Sequence, residues 1–281
     1  MAYLGNPQNT IEVLKRYDIN FKKKFGQNFL IDTHVLDKIV RAANLTKDDV
    51  VIEIGPGIGT LTQYLCENAG KVIAIEIDSS LIPILKNDTL SEYDNVEIIN
   101  EDVLKVDFAK LSEENAGKKF KVVANLPYYI TTPIVMKLLE DSLPIESITM
   151  MIQAEVAQRM CAKEATKDYG ALTLAIAYYS VPYLVANVPM NCFMPRPNVS
   201  SAVVRLDLNG REKDEFLFKL IKGAFLQRRK TLVNALSNFA DLSFPKEVLS
   251  EAVKEIGFNE DVRGEKLTLA DFERLAIALK K

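Results

Sequence analysis

The chain has 281 residues, 48% of them hydrophobic and 26% charged, with a formal net charge of −3 and a pI near 5.5. That apolar fraction excludes a disordered chain, and the length suits about two domains. No apolar run approaches the roughly 20 residues of a membrane span. The polar stretch of residues 1–20 is not a secretory signal, so a soluble, cytoplasmic protein without a membrane partner is expected. Cys66, Cys161 and Cys192 are too few and too scattered for a disulfide framework and read as reduced thiols. His34 is the only histidine. A His/Cys metal site is therefore excluded and no metal is expected; His34 itself reads as a first-turn helix residue.

In chain order, Met1–Lys24 reads as an N-terminal arm ending in the basic cluster Lys22, Lys23, Lys24, and His34–Leu45 as an amphipathic helix. From Val50 short apolar runs alternate with helical patterns. Val50–Ile54, Lys71–Ile75, Val96–Ile99, Phe120–Ala124 and Ser147–Ile152 read as strands, with helices at Thr60–Asn68, Ser80–Lys86, Ile134–Asp141 and Ala154–Ala162. Such alternation predicts βαβ units: an α/β fold with a parallel, Rossmann-like sheet and helices on both faces. Leu172–Tyr179, Tyr183–Val188 and Ser201–Leu208 read as further strands at one edge. After Asn209-Gly210 the spacing becomes helical over Asp214–Phe239, Pro245–Ile256 and Thr268–Leu279, with a capping box predicted from Thr268 and Asp271. The expected domains are the arm (1–24), a catalytic α/β domain (25–209) and a small all-helical C-terminal domain (210–281).

The segment Glu53-Ile-Gly55-Pro-Gly57-Ile-Gly59 falls where the first strand turns into a helix, and glycines there allow a tight turn and close approach to a ligand. Glu76 ends the second strand, 21 positions past Gly55, where a carboxylate accepts both hydroxyls of a ribose. Asp102 follows the third strand, placed for the amine of an adenine; read alone it is equally a loop or helix cap. Ile77 and Val103, beside the two acids, complete the predicted nucleoside site. Three strand ends converging in this way form the crevice where open α/β sheets bind ligands.

The fourth strand runs into Asn125-Leu126-Pro127-Tyr128. An amine conjugated to an aromatic ring is a poor nucleophile, and its attack on a sulfonium methyl builds positive charge on nitrogen. A site for that reaction needs acceptors aimed at the amine hydrogens and a flat surface for the base. Asn125 offers a side-chain carbonyl, Leu126 a backbone carbonyl, Pro127 a stiff turn and Tyr128 a stacking face. The alternative is a strand-ending turn with Tyr128 in the core.

These motifs resemble those of the KsgA-like family of rRNA adenine dimethyltransferases over nearly the whole chain. The family's opening motif appears as Phe25-Gly26-Gln27-Asn28-Phe29-Leu30, and a later one as Phe193-Met-Pro195-Arg-Pro197-Asn-Val199. The resemblance implies S-adenosyl-L-methionine as cofactor, with Gln27, Asn28 and Leu30 closing over its methionine end. It also implies Phe193 pressing the target adenine from the face opposite Tyr128; from the residues alone, Phe193 reads as core in a rigid loop. The implied activity is dimethylation of adjacent adenines in small-subunit rRNA during ribosome assembly, by a monomer acting on the assembling small subunit. The chain departs from the family at Asn198 and Ser200, where Lys and Asp are frequent. Arg228, Arg229 and Lys230, with Lys22–Lys24, are the expected RNA contacts; Lys118-Lys119-x-Lys121 reads as a solvated face. Two other readings of the same motifs remain: a binding factor for assembly, and an adenine methyltransferase acting on large-subunit rRNA or on DNA.

Overall fold

The computed structural model describes residues 3–19, 28–141 and 143–280. They cluster into two compact units, a sheet unit of residues 1–157 and 182–208 and a helical unit of residues 158–181 and 209–281.

In the sheet unit, α1 (Pro7–Arg16), β1 (Phe29–Leu30) and α2 (Thr33–Ala43) precede the alternating core. That core runs β2 (Val50–Ile54), α3 (Thr60–Asn68), β3 (Lys71–Ile75), α4 (Ile82–Ile84), β4 (Val96–Ile99), α5 (Phe108–Glu114), β5 (Phe120–Asn125), α6 (Thr131–Glu140) and β6 (Ile145–Gln153). After α7 (Ala154–Met160), the sheet resumes with β7 (Ser180–Val188) and β9 (Ser201–Leu208), separated by the short β8 (Phe193–Met194). Seven strands form one sheet in the order β4-β3-β2-β5-β6-β9-β7. The first five are parallel neighbours and β9 is antiparallel to β6. All five residues of β2 are buried, which is why such strands read as unbroken apolar runs. The strand order reverses between β2 and β5, and such a switch point opens a crevice at the carboxyl ends of the strands.

Residues 3–19 do not stand off as an arm. Leu4, Val13 and Leu14 pack with Ile58, Leu81 and Ile84, and the Leu4 N–H donates to Gln63 Oε1 at 2.9 Å. The helix that begins at Pro7 places Thr10, Val13 and Leu14 on one buried face. Lys22–Lys24, Phe25, Gly26 and Gln27 lie outside the described residues.

The helical unit comprises α8 (Ala171–Tyr179), α9 (Glu215–Leu226), α10 (Leu232–Ser237), α11 (Lys246–Glu255) and α12 (Leu269–Leu279). The stretch Leu172–Tyr179, expected as a strand, is helical. Its residues are almost continuously apolar, so periodicity carries no information, and its alanines favour helix. Tyr179 stacks on Phe218 of α9, the ring centroids 5.5 Å apart, which draws residues 158–181 into the helical unit rather than the α/β domain. The predicted capping box is present: the Thr268 N–H donates to Asp271 Oδ2 at 2.9 Å and the Asp271 N–H to Thr268 Oγ1 at 3.2 Å. None of the described helices is long and apolar enough to cross a membrane.

Gly70 closes the turn between α3 and β3, donating its N–H to the Asp49 carbonyl. A Cβ on it would sit inside contact distance of the Lys47 carbonyl oxygen, a rigid backbone atom. Gly70→Ala should therefore lower unfolding stability by about 3 kcal/mol, the upper end for overpacking, as measured by denaturant melts; unchanged stability would show that this turn has slack.

Candidate active site

The carboxyl ends of β2, β3 and β5 border one cleft of about 810 Å³, part of it open to solvent, lying wholly within the sheet unit. From the β2 end come Glu53, Gly55, Pro56 and Gly57, from the β3 end Glu76 and Ile77, and from the β5 end Asn125 through Tyr129; Asn28, Phe29 and Leu30, with Thr60 and Leu61 of α3, complete the wall. Each strand's ladder extends one residue into the cleft: the Gly55 N–H donates to Ile75, that of Glu76 to Ile99 and that of Leu126 to Met151. The backbone at these ends is thereby held as firmly as the sheet.

The glycine loop needs its glycines for two reasons. Gly55, Gly57 and Gly59 have φ of 70°, 62° and 95°, in the left-handed region that side chains disfavour. At Gly57 a Cβ would also lie 2.8 Å from Phe29 Cε1. Gly59 lies deeper than the cleft wall, as the left-handed N-cap of α3.

Two carboxyl groups sit at the base of the loop. Glu76 is 5% exposed; its Oε2 accepts from Gly57 N–H at 3.0 Å and its Oε1 from Asp78 N–H at 2.8 Å. Burial raises its pKa, against the pull of those backbone donors. Glu53 is 1% exposed, and its Oε2 has no hydrogen-bond partner among the described residues. Burial, reinforced by the charge of Glu76, pushes the Glu53 carboxyl up to about 8. In the sequence Glu53 stands out only as part of the glycine motif; its position on a fully buried strand is the sign that marks it. An unpartnered carboxyl oxygen in a cleft wall is a socket for a cation or a hydrogen-bond donor.

At the β5 end, the Asn125 Nδ2 donates to the Asn28 carbonyl at 3.2 Å, so its Oδ1 is the atom left to accept from a ligand. The Pro127 carbonyl is taken by the Ile130 N–H and by the Thr131 hydroxyl at 3.0 Å. Tyr128 is partly buried and its hydroxyl lies 2.6 Å from Ser201 Oγ; the neighbouring Tyr129 is 59% exposed.

Several predicted residues are placed differently. Phe193 is 4% exposed and packs with Leu30, Val35 and Leu36 in the core; it does not line the cleft, so no aromatic sandwich with Tyr128 is assembled here. The reason is pairing of β1 with β8, which sets Leu30 opposite Phe193 and Phe29 opposite Met194. Asp102 and Val103 are also set back from the cleft wall, Val103 being buried. Asp102 caps a single helical turn, its Oδ1 accepting from the Leu104 N–H at 3.0 Å, which leaves Oδ2 for other donors.

In the helical unit, Arg228 is already engaged. Its Nε donates to Glu265 at 2.8 Å and its two terminal nitrogens to the carbonyls of Lys167 and Thr166 at 2.6 and 2.9 Å. It clasps two loops of that unit instead of reaching for RNA. Arg229 and Lys230 are exposed. In the middle cluster, Lys121 is buried against Asp49, not solvated.

The sequence matches a family model described as ribosomal RNA adenine dimethylase over residues 18–281. It is 63% identical over 282 residues to a ribosomal RNA small subunit methyltransferase A of Lachnoclostridium phytofermentans, covering 98% of this chain and 97% of that one. A protein of the same description from Bacillus pumilus is 50% identical over 286 residues, covering 99% and 98%. Among solved structures, a dimethyladenosine transferase from Plasmodium falciparum superposes with a TM-score of 0.73 at 29% identity, covering 88% of this chain and 95% of that one. The 23S rRNA methyltransferase ErmE superposes with a TM-score of 0.68 at 27% identity, covering 90% and 100%. The glycine loop, the acid-ended strands and the Asn-Leu-Pro-Tyr corner thus lie in a Rossmann-like methyltransferase sheet, and the chain belongs to the ribosomal RNA adenine dimethylase family.

Proposed function

We propose that the chain transfers methyl groups from S-adenosylmethionine to the exocyclic amine of adjacent adenines in small-subunit rRNA, acting on the small ribosomal subunit during its assembly. The observation that carries this reading is the Asn125–Tyr128 corner, whose acceptors stand beside a glycine-loop cleft. The residues present suit the cofactor: its cationic methionine end matches the orphaned Glu53 Oε2, and its ribose hydroxyls match Glu76. Asn28 and Leu30 close the methionine end, Ile77 lies against the adenine, and Asp102, through the Oδ2 that its cap leaves open, receives the adenine amine beside Val103.

Bound there, S-adenosylmethionine would supply an electrophilic sulfonium methyl, with its sulfur as the leaving group. At the first transfer Asn125 Oδ1 and the Leu126 carbonyl accept from the two hydrogens of the target amine and hold its lone pair toward that methyl; the methylated nitrogen then releases a proton to water, and at the second transfer one acceptor holds the hydrogen that remains. Because positive charge grows on the nitrogen, these acceptors bind the transition state more strongly than the ground state. Tyr128 holds the base flat, worth about 1–3 kcal/mol of stacking. Alignment of amine and methyl contributes about 7–11 kcal/mol more through entropy lost on binding. Arg229 and Lys230 grip phosphates.

Asn125→Ala should lower methyl transfer to undermethylated small subunits by at least about 100-fold while calorimetry still detects cofactor binding; normal turnover would refute the role.

For Glu53, the raised carboxyl pKa sets the sign of a pH effect. The folded protein without cofactor holds a proton that the unfolded chain releases near 4.5, so stability falls as pH rises from there to about 8. Thermal melts between those limits should show this decline, flattened in Glu53→Gln. Cofactor binding at pH 7 should release a proton, read by calorimetry in two buffers of different ionisation enthalpy; the variant should release none.

Replacing Arg229 and Lys230 with Ala should reduce the salt slope of RNA binding by about 0.7–0.9 per lost contact, whereas Arg228→Ala should lower thermal stability. An unchanged slope in the double variant would mean the pair is plain surface.

A further inference from the structure

The hydroxyl of Ser201 has no place in the reading above, yet it is fully buried and meets the far end of the Tyr128 ring at 2.6 Å. Ser201 is the first residue of β9 and sits opposite Gln153 in the antiparallel ladder with β6. The next residue back, Ser200, gives its carbonyl to the N–H of Ala154 at the start of α7, so the backbone is tied to α7 on one side of the serine Cα and to β6 on the other. The Tyr128 backbone is held at the Pro127–Tyr128 peptide, whose carbonyl accepts from Ile130 and Thr131, but that anchor leaves the ring free to turn. A tyrosine ring turns about two bonds near its backbone, and a hydrogen bond at the opposite end of the ring suppresses both rotations at once. The phenol is partly buried and its ionisation disfavoured, mainly by burial, so it remains a neutral partner able to donate or accept.

We infer that Ser201 is a positioning residue for methyl transfer, holding the face of Tyr128 at the angle on which the target adenine stacks. The inference rests on the reading of Tyr128 as the base platform. It also gives β9, a strand remote in sequence from the corner, a part in the reaction: the turn holds the Tyr128 backbone and the sheet holds the far end of its ring. A loosened ring presents its face for only part of the time, so the RNA step suffers while the cofactor, held by the glycine loop and the acids, does not.

The test uses the full-length protein with undermethylated small subunits and four variants: Ser201→Ala, Ser201→Thr, Tyr128→Phe and the Ala/Phe double. Ser201→Ala should lower kcat/KM for the subunit about tenfold, the scale of a lost aligning contact, with cofactor Kd unchanged. Ser201→Thr, which keeps the hydroxyl, should restore most of it. Tyr128→Phe should show the same deficit, and the double variant should be no worse than either single change, since all three delete one bond. Wild-type kcat/KM in Ser201→Ala, with only a lower Tm, would overturn the inference and leave the bond a packing detail. Additive losses in the double variant would overturn it too. Should Ser201→Ala fail to fold or to bind cofactor, Tyr128→Phe decides alone, because it removes the same bond and keeps the serine. The platform reading fails separately, on Tyr128→Ala retaining normal turnover.

Discussion

One backbone hydrogen bond, from the Leu126 N–H to the Met151 carbonyl at 3.0 Å, carries the β5 ladder a residue beyond Asn125, and the reactive corner depends on it. It fixes the peptide that links Asn125 to Leu126, and with it the origin of both acceptors in the proposed reaction. Pro127 then turns the chain with φ restricted by its ring, and its carbonyl is captured by α6 through Ile130 and Thr131. Catalysis by acceptor placement requires that nothing reorganise as charge develops on the amine. A corner fastened to a buried strand on one side and a helix on the other meets that requirement.

The cleft shows a division between charge and shape. Glu53 and Glu76 are both buried at the base of the glycine loop, where two carboxylates repel and solvent cannot separate them. The arrangement is costly in an empty site and favourable once a positive charge arrives, which suits a sulfonium cofactor carrying an ammonium group. Glu76 offsets its own burial with two backbone donors, while Glu53 stays protonated near neutrality and has none at Oε2. The acid that looks less finished in the protein alone is the one that answers to the ligand.

What could be read in the sequence follows the range of the interactions involved. The glycine loop, Glu76 at its strand end and the Asn-Leu-Pro-Tyr turn are local arrangements, each decided by a few consecutive residues, and they line one cleft at the strand ends. The same holds for the Thr268–Asp271 cap. What escaped the reading depends on distant partners. The burial of Phe193 follows from β1 pairing with β8, two strands of two residues each and 163 positions apart in Leu30 and Phe193; two residues carry no period. The engagement of Arg228 depends on Glu265 and on carbonyls some sixty residues away, so a basic triplet looked uniform when its first member was not. The helix at Ala171–Tyr179 is set by tertiary contact with Phe218, and its unbroken apolar sequence suited a strand equally well. Ser201 was legible only as one hydroxyl at a strand start.

The central claim is that the corner's acceptors select the exocyclic amine of adenine, which offers two hydrogens at the first transfer and one at the second. The most direct measurement is mass-spectrometric mapping of small-subunit rRNA after reaction of the protein with undermethylated subunits and isotopically labelled S-adenosylmethionine. The account predicts label on the exocyclic nitrogen of two neighbouring adenines, two methyl groups on each. Label confined to a ring nitrogen, a ribose hydroxyl or a base other than adenine would contradict it.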